Sequence, residues 1–257
     1  MYKIDIGTHF TFYNIKLLQS YIFAVIQILK PENTVETTEN CAPFDAASGP
    51  RLDEPAPAFT ARTTLGMRSL DDYRGQWLIL FSHPADFTPV CTSEFIALEN
   101  RASEFRARNC ELLGLSVDSV FSHRAWVQSI NENFAVKISF PIIEDVSMAV
   151  SHAYGMIHNG SVSTATIRSV FFINPQGILK ATIHYPLTVG RSVDEIHRVL
   201  IALQESEANT NIALPEGWTP GRKALINPDM SDTGTDENDP LWYFKEIELT
   251  NPARAAE

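Results

Sequence analysis

Trp77-Leu78-Ile79-Leu80-Phe81-Ser82-His83-Pro84-Ala85-Asp86-Phe87-Thr88-Pro89-Val90-Cys91-Thr92-Ser93-Glu94 reads as a strand, a turn and the start of a helix. Trp77 to Phe81 is an unbroken apolar run, the pattern of a buried strand. Past the turn, Phe95, Leu98, Ala102 and Phe105 recur at helical spacing, which predicts a helix running to about Arg108. Thr88 suits the N-cap and Pro89 the first helical position. Cys91 is then the third residue of the helix, where backbone N–H groups are free and the dipole is positive. Such a place favours the thiolate, the reactive form of the thiol. On the residues alone two readings stand. Cys91 is an activated cysteine at the C-terminal end of a strand, where α/β sheets carry their sites. Or it is a small buried residue, as most free cysteines are.

Working outward, Cys110–Val117 reads as a second strand, Phe121–Asn133 as a helix with Trp126, Val127 and Ile130 inward, and Phe140–Ile143 as a short strand. Met148–Tyr154 reads as a short helix. Arg168–Asn174 and Ile178–His184 form a hairpin across Pro175-Gln176-Gly177. In Val193–Gln204, Ile196, Val199, Leu200 and Leu203 share one helix face. Alternating strands and helices with one hairpin predict an α/β fold with a central mixed sheet flanked by helices.

Pro84, Thr88 and Cys91 make Pro-x-x-x-Thr-x-x-Cys, which resembles the active-site signature of the peroxiredoxins. The longer run from Phe81 to Thr92 is similar to their one-cysteine subfamily. The likeness continues through Leu115–Ser119, Phe140–Ile142, Ile167–Phe171 and Tyr185–Arg191, and spans about Arg51 to Asn251. It implies a thioredoxin-like fold with a small C-terminal domain that reaches a partner subunit. The organisation expected is an N-terminal extension over 1–50, a peroxidase domain over 51–207 and a C-terminal segment over 208–257. The activity implied is reduction of hydrogen peroxide and organic hydroperoxides by an external thiol or thioredoxin-type reductant, with no cofactor and no metal. A homodimer or a larger assembly of dimers is the implied state.

Composition narrows the alternatives. Twenty basic against 31 acidic residues leave a net charge of −11, which argues against nucleic acid or an anionic membrane as partner. The three cysteines, with no Cys-x-x-Cys, make neither a disulfide scaffold nor a zinc site, and fit a reducing cytoplasm. Ile15 to Leu29 is largely apolar but interrupted by Lys16, Gln19, Ser20 and Gln27, short of the roughly 20 residues of a bilayer span. We read it as a helix that packs on the body or on a partner chain, with a membrane-associated or export segment as the second reading. Pro31–Pro50, which holds Cys41, reads as a linker. Ser231–Asp239 reads as a solvated acidic loop, because its glycine and final glutamate are misplaced for a calcium loop.

The chemistry is assigned residue by residue. Cys91 attacks the peroxide and becomes sulfenic acid. Thr88 hydrogen-bonds the thiolate or a peroxide oxygen, caps the helix, or does both. Pro84 walls off water or simply ends the strand. Arg168 leads an apolar strand and needs an anionic partner, since its charge cannot be neutralised. The resemblance makes it the active-site arginine, and a salt bridge to a carboxylate is the plain alternative. By the same resemblance Arg191 is a second arginine of the site, and His83 hydrogen-bonds or tunes Cys91 unless it is a strand-end histidine. Glu94, one turn after Cys91, orients an arginine or favours the helix N-terminus. Cys110 opens a core strand and is expected to be inert. With no cysteine after Cys110, the one-cysteine route fits best, and a second route uses Cys41 as resolving cysteine. Two other classes are a redox-regulated holdase or signalling protein on the same fold, and a cysteine hydrolase with His83 as base. The absence of Gly-x-Ser-x-Gly, and of a serine in Arg74-Gly75-Gln76-Trp77, gives no support to a phospholipase.

Overall fold

The computed structural model describes residues 49–157, 162–228 and 241–249, all within one compact unit, Asp45–Glu257. The apolar run Ile15–Leu29, Cys41 and the acidic loop Ser231–Asp239 lie outside the described residues.

In chain order the elements are β1 (Thr60–Thr63), β2 (Gly66–Ser69), a 3₁₀ turn (Leu70–Tyr73), β3 (Trp77–Ser82), α1 (Pro89–Asn100), α2 (Ala102–Ala107) and β4 (Cys110–Ser116). Then come α3 (Val120–Phe134), β5 (Ile142–Glu144), α4 (Ala149–Ala153), β6 (Arg168–Ile173), β7 (Leu179–Tyr185) and α5 (Val193–Ala208). Last are β8 (Ile212–Ala213), β9 (Ala224–Ile226) and β10 (Glu246–Ile247). The first seven strands form one sheet in the order β2-β1-β5-β4-β3-β6-β7, and β10-β9-β8 form a small second sheet. β3, β4 and β5 are parallel, whereas β6 runs antiparallel to β3 and β7 antiparallel to β6. The expected mixed sheet with helices on its faces, and a small C-terminal sheet, is what the chain forms.

β3 sits inside the sheet, between β4 and β6, because both of its faces are apolar. Trp77, Ile79 and Phe81 point to a core with Phe95, Leu98, Phe105, Trp126 and Leu200 from the helices. Leu78 and Leu80 point the other way, to Leu113, Leu115, Phe171, Ile173, Tyr154 and Met156. Leu78, Ile79 and Leu80 have no exposed surface, and burial of each contributes about 1.5–3 kcal/mol. Gly114 of β4 keeps room for this packing. A Cβ there would meet Phe95 Cζ at 3.3 Å and Phe81 Cζ at 3.4 Å.

Two differences from the sequence reading have physical reasons. The helix expected to reach Arg108 is broken at Arg101, whose φ and ψ are −111° and 6°. The break turns the Arg101 side chain out to Glu104, Asp194 and His197, while Ala102 and Phe105 stay buried. The β1–β2 hairpin went unread because its strands are four residues each, mixed in polarity and without a fully buried face.

Candidate active site

The loop Ser82–Thr88 leaves β3 at its C-terminal end and feeds α1. Thr88 takes an extended conformation as N-cap, with Pro89 as the first helical residue. Cys91 therefore lies in the first turn, as its spacing requires. Thr88 makes no side-chain cap bond. Its hydroxyl donates to the Ala85 carbonyl at 2.9 Å, and its own carbonyl accepts from Thr92 N and Oγ1. In this arrangement its proton is committed to the loop rather than to Cys91. Pro84 is half-buried within the same loop.

The antiparallel register Phe81↔Val170 brings the start of β6 to the end of β3, so Arg168 arrives beside α1. Arg168 Nη1 lies 3.2 Å from Cys91 Sγ and donates to Glu94 Oε2 at 2.8 Å. Its Nε and Nη2 donate to the Leu187 carbonyl at 3.0 and 2.8 Å, which fixes the plane of the guanidinium. Arg191 donates from its backbone N and Nε to Glu94 Oε1 and from Nη2 to Glu94 Oε2, at 2.8–2.9 Å. Its Nη1 donates to the carbonyls of Ser82 and Ser169. Glu94 thus holds both arginines, and Arg191 makes no hydrogen bond to Cys91. Gly190 lets this loop lie on α1, since a Cβ there would meet Val90 Cγ1 at 3.3 Å.

Cys91, Glu94, Arg168 and Arg191 are all buried, Cys91 completely. Burial pushes the Glu94 carboxyl up, but the Arg191 and Arg168 guanidiniums outweigh it and hold the group below its ordinary value. Two guanidiniums against one carboxylate leave the cluster one positive charge in excess, and Cys91 Sγ is the atom it faces. On the outer side of α1 a cleft of about 430 Å³ opens against α3, lined by Phe87, Thr88, Thr92, Ile96, Trp126 and Phe134. Cys91 is not among its walls.

Of its two readings, His83 follows that of a strand-end histidine. It is fully buried, with its ring near Phe95 and Trp126 at centroid distances of 4.9 and 5.1 Å. Its Nε2 is bonded to Asp86 at 2.9 Å, and Nδ1 has no partner among the described residues. No ring nitrogen reaches Cys91. As the first residue past β3 it turns into the aromatic core beneath α1, and burial lowers its pKa from the ordinary value. His83, Asp86 and His123 are the set among the described residues whose donor atoms converge, all within 4.8 Å of one another. Their separations of 2.9–3.0 Å are those of hydrogen bonds. His123 and the Leu187 carbonyl are parts of the surroundings that the sequence reading missed, and Trp126 was read only as an inward residue of its helix. A signal for His123 was there, since it shares the inward helical spacing of Trp126 and Ile130.

Cys110 opens β4, paired with Trp77 at the far end of β3. That end is about 16 Å along the strand from Ser82, too far for a disulfide with Cys91. Burial raises the Cys110 thiol far above its ordinary value, so it stays protonated.

Comparison with known proteins decides the family. Residues 52–182 match the model of the AhpC/TSA family, and residues 202–237 match the C-terminal domain of 1-Cys peroxiredoxin. A peroxiredoxin of Aquifex aeolicus is 52% identical over 178 residues, 69% of this chain and 80% of the relative. The chain belongs to the peroxiredoxins. It is a thiol peroxidase, an antioxidant oxidoreductase. Among solved structures, a yeast mitochondrial 1-Cys peroxiredoxin superimposes with a TM-score of 0.70 at 36% identity, covering 78% of this chain and 100% of that one. A cysteine-to-serine mutant of peroxiredoxin 6 of Arenicola marina gives 0.68 at 32% identity, covering 78% and 98%. Among the described residues no helix is long and apolar enough to cross a membrane.

Proposed function

We propose that Cys91 is the peroxidatic cysteine and that the enzyme runs a one-cysteine cycle with an external thiol. The observation that carries this is the 3.2 Å contact between Cys91 Sγ and Arg168 Nη1 within a buried cluster of net positive charge. The thiolate is the anion that balances the cluster. It attacks one oxygen of the peroxide, the O–O bond breaks, and the other oxygen leaves as hydroxide or alkoxide and takes up a proton. Cys91 becomes sulfenic acid. One thiol then condenses with it to a mixed disulfide, releasing water, and a second thiol frees Cys91 as a disulfide forms between the two reductant sulfurs.

Arg168 stabilises the thiolate and the departing oxyanion. Glu94 and the Leu187 carbonyl aim it, and Arg191 seats Glu94. Thr88 and Pro84 shape the loop, with the Thr88 oxygen still able to accept from a peroxide. The complete burial of Cys91 favours small peroxides. The yeast relative is described as resolving its thiol through glutathione and thioredoxin systems, and we infer a reductant of that class here. A homodimer in a reducing cytoplasm is the setting we propose, with the C-terminal segment at the subunit interface.

The test is stopped-flow oxidation by hydrogen peroxide of the wild type, Cys91→Ser and Arg168→Met. Wild type should react rapidly, C91S not at all, and R168M about 100- to 1000-fold more slowly, the loss typical of one oxyanion donor. Equal rates in R168M and wild type would remove Arg168 from the chemistry.

A further inference from the structure

Behind the Cys91 loop lies a second buried polar group that the reaction above does not use. Asp86 sits in the loop with its side chain almost wholly covered, and His123 of α3 is fully buried. His123 Nδ1 is 3.0 and 2.9 Å from the two carboxylate oxygens of Asp86. Its Nε2 is 3.0 Å from the carbonyl oxygen of Ile143. A carbonyl oxygen only accepts, so Nε2 carries a proton and donates it. The carboxylate also accepts, and it already receives His83 Nε2 at 2.9 Å. Nδ1 must then donate as well. A neutral imidazole has one N–H, so the contacts of His123 are satisfied only with protons on both nitrogens.

We propose that His123 is a buried imidazolium paired with the Asp86 carboxylate, and that this pair is the positioning device for the Cys91 loop. The inference rests on the peroxidase reading of Cys91. Burial pushes the Asp86 carboxyl up, but the hydrogen bonds from His123 and His83 prevail and hold it well below the usual carboxylate range, so the proton belongs to the ring. The remaining carboxylates nearby agree in sign. Asp118 accepts from the Asp86 backbone N, and Glu144 accepts from Val120 N one turn before His123 and pairs with Arg62.

The placement says what the pair does. Asp86 lies two residues before the N-cap Thr88, and between them Phe87 is held at φ +55° with its ring exposed. A bulky residue keeps that conformation only where its surroundings fix it, and the clamp on Asp86 does so. One turn along α3 from His123, Trp126 Nε1 donates to Thr92 Oγ1 at 3.2 Å. α3 therefore grips the chain on both sides of Cys91, at residue 86 through the ion pair and at residue 92 through the indole. The bond from His123 to Ile143 ties the grip to β5 of the sheet.

The experiment has two arms on the full-length protein. Nitrogen-15 NMR of the histidine side chains in reduced wild type at neutral pH should show His123 with both ring nitrogens protonated. Asp86→Asn should return His123 to the neutral form. Both D86N and His123→Gln should slow Cys91 oxidation by hydrogen peroxide about 100-fold, the loss expected from a slight misplacement, with native circular dichroism retained. A neutral His123 in wild type would overturn the proposal, as would variants that oxidise at the wild-type rate. So would one tightly bound zinc ion per chain, which would sit where the proton is assigned. A wild type that does not oxidise at Cys91 overturns the peroxidase reading instead, and the NMR arm still decides the protonation of His123.

Discussion

At the residue scale the site is an arrangement of charge around one sulfur. Glu94 is the hinge of that arrangement, taking hydrogen bonds from both Arg168 and Arg191. Removing its charge leaves two buried guanidiniums facing each other, and breaking such a pair costs about 3–5 kcal/mol. Glu94→Gln should lower stability by about that amount in urea unfolding and slow peroxide oxidation as well. The same pairing sets an acid limit. Because the Glu94 carboxyl lies below its ordinary value in the fold, the unfolded chain binds protons more readily. The stabilisation is therefore complete above about pH 4.3, the usual Glu value. It is lost as pH falls through the folded value. Thermal unfolding followed from pH 6 downward should show this fall in the wild type and a shallower one in E94Q. Cys91, Glu94 and Arg168 left marks in the sequence, through motif spacing and a charged residue leading an apolar strand, whereas Arg191 was suggested only by the family resemblance. The Asp86–His123 pair was not legible there, since it joins residues 37 apart through tertiary packing, and the helical spacing of His123 marks it only as inward-facing.

At the element scale the account rests on β3 and α1. Their type and order follow from the apolar run, the Thr-Pro cap and the helical spacing, and these were readable directly. The end of the helix was not, because the break at Arg101 depends on partners on α5, Asp194 and His197, far along the chain. The short β1–β2 hairpin offered too few alternating residues to read. The interface of β4 with α1 gives a specific test. Gly114→Val places side-chain atoms against Phe81 and Phe95, which already stand at 3.3–3.4 Å from a bare Cβ. Overpacking of this kind costs about 1–3 kcal/mol. We expect a lower urea midpoint with an unchanged denaturant slope, and slower oxidation of Cys91, because Phe95 belongs to α1 itself, one turn after Cys91.

At the scale of the whole molecule the central question is how the three cysteines share the chemistry. The sheet places Cys110 at the opposite end of β3 from the Cys91 loop, and burial keeps its thiol protonated. Cys110→Ser should therefore leave the rate of peroxide reduction within about twofold of wild type and give no change in the reductant used, as checked by steady-state turnover. The lack of any cysteine after Cys110 favours the one-cysteine route, with Cys41 as the alternative resolving cysteine. What sequence could not convey was the length of strand that separates the two buried ones, which only the parallel register of β3 and β4 sets. The most direct test is mass spectrometry of the fully reduced protein after one equivalent of hydrogen peroxide, alongside Cys91→Ser. One added oxygen on Cys91, no disulfide, and no reaction in C91S is the predicted result. A disulfide joining Cys91 to Cys41, or a Cys91 that stays reduced, would contradict the one-cysteine account.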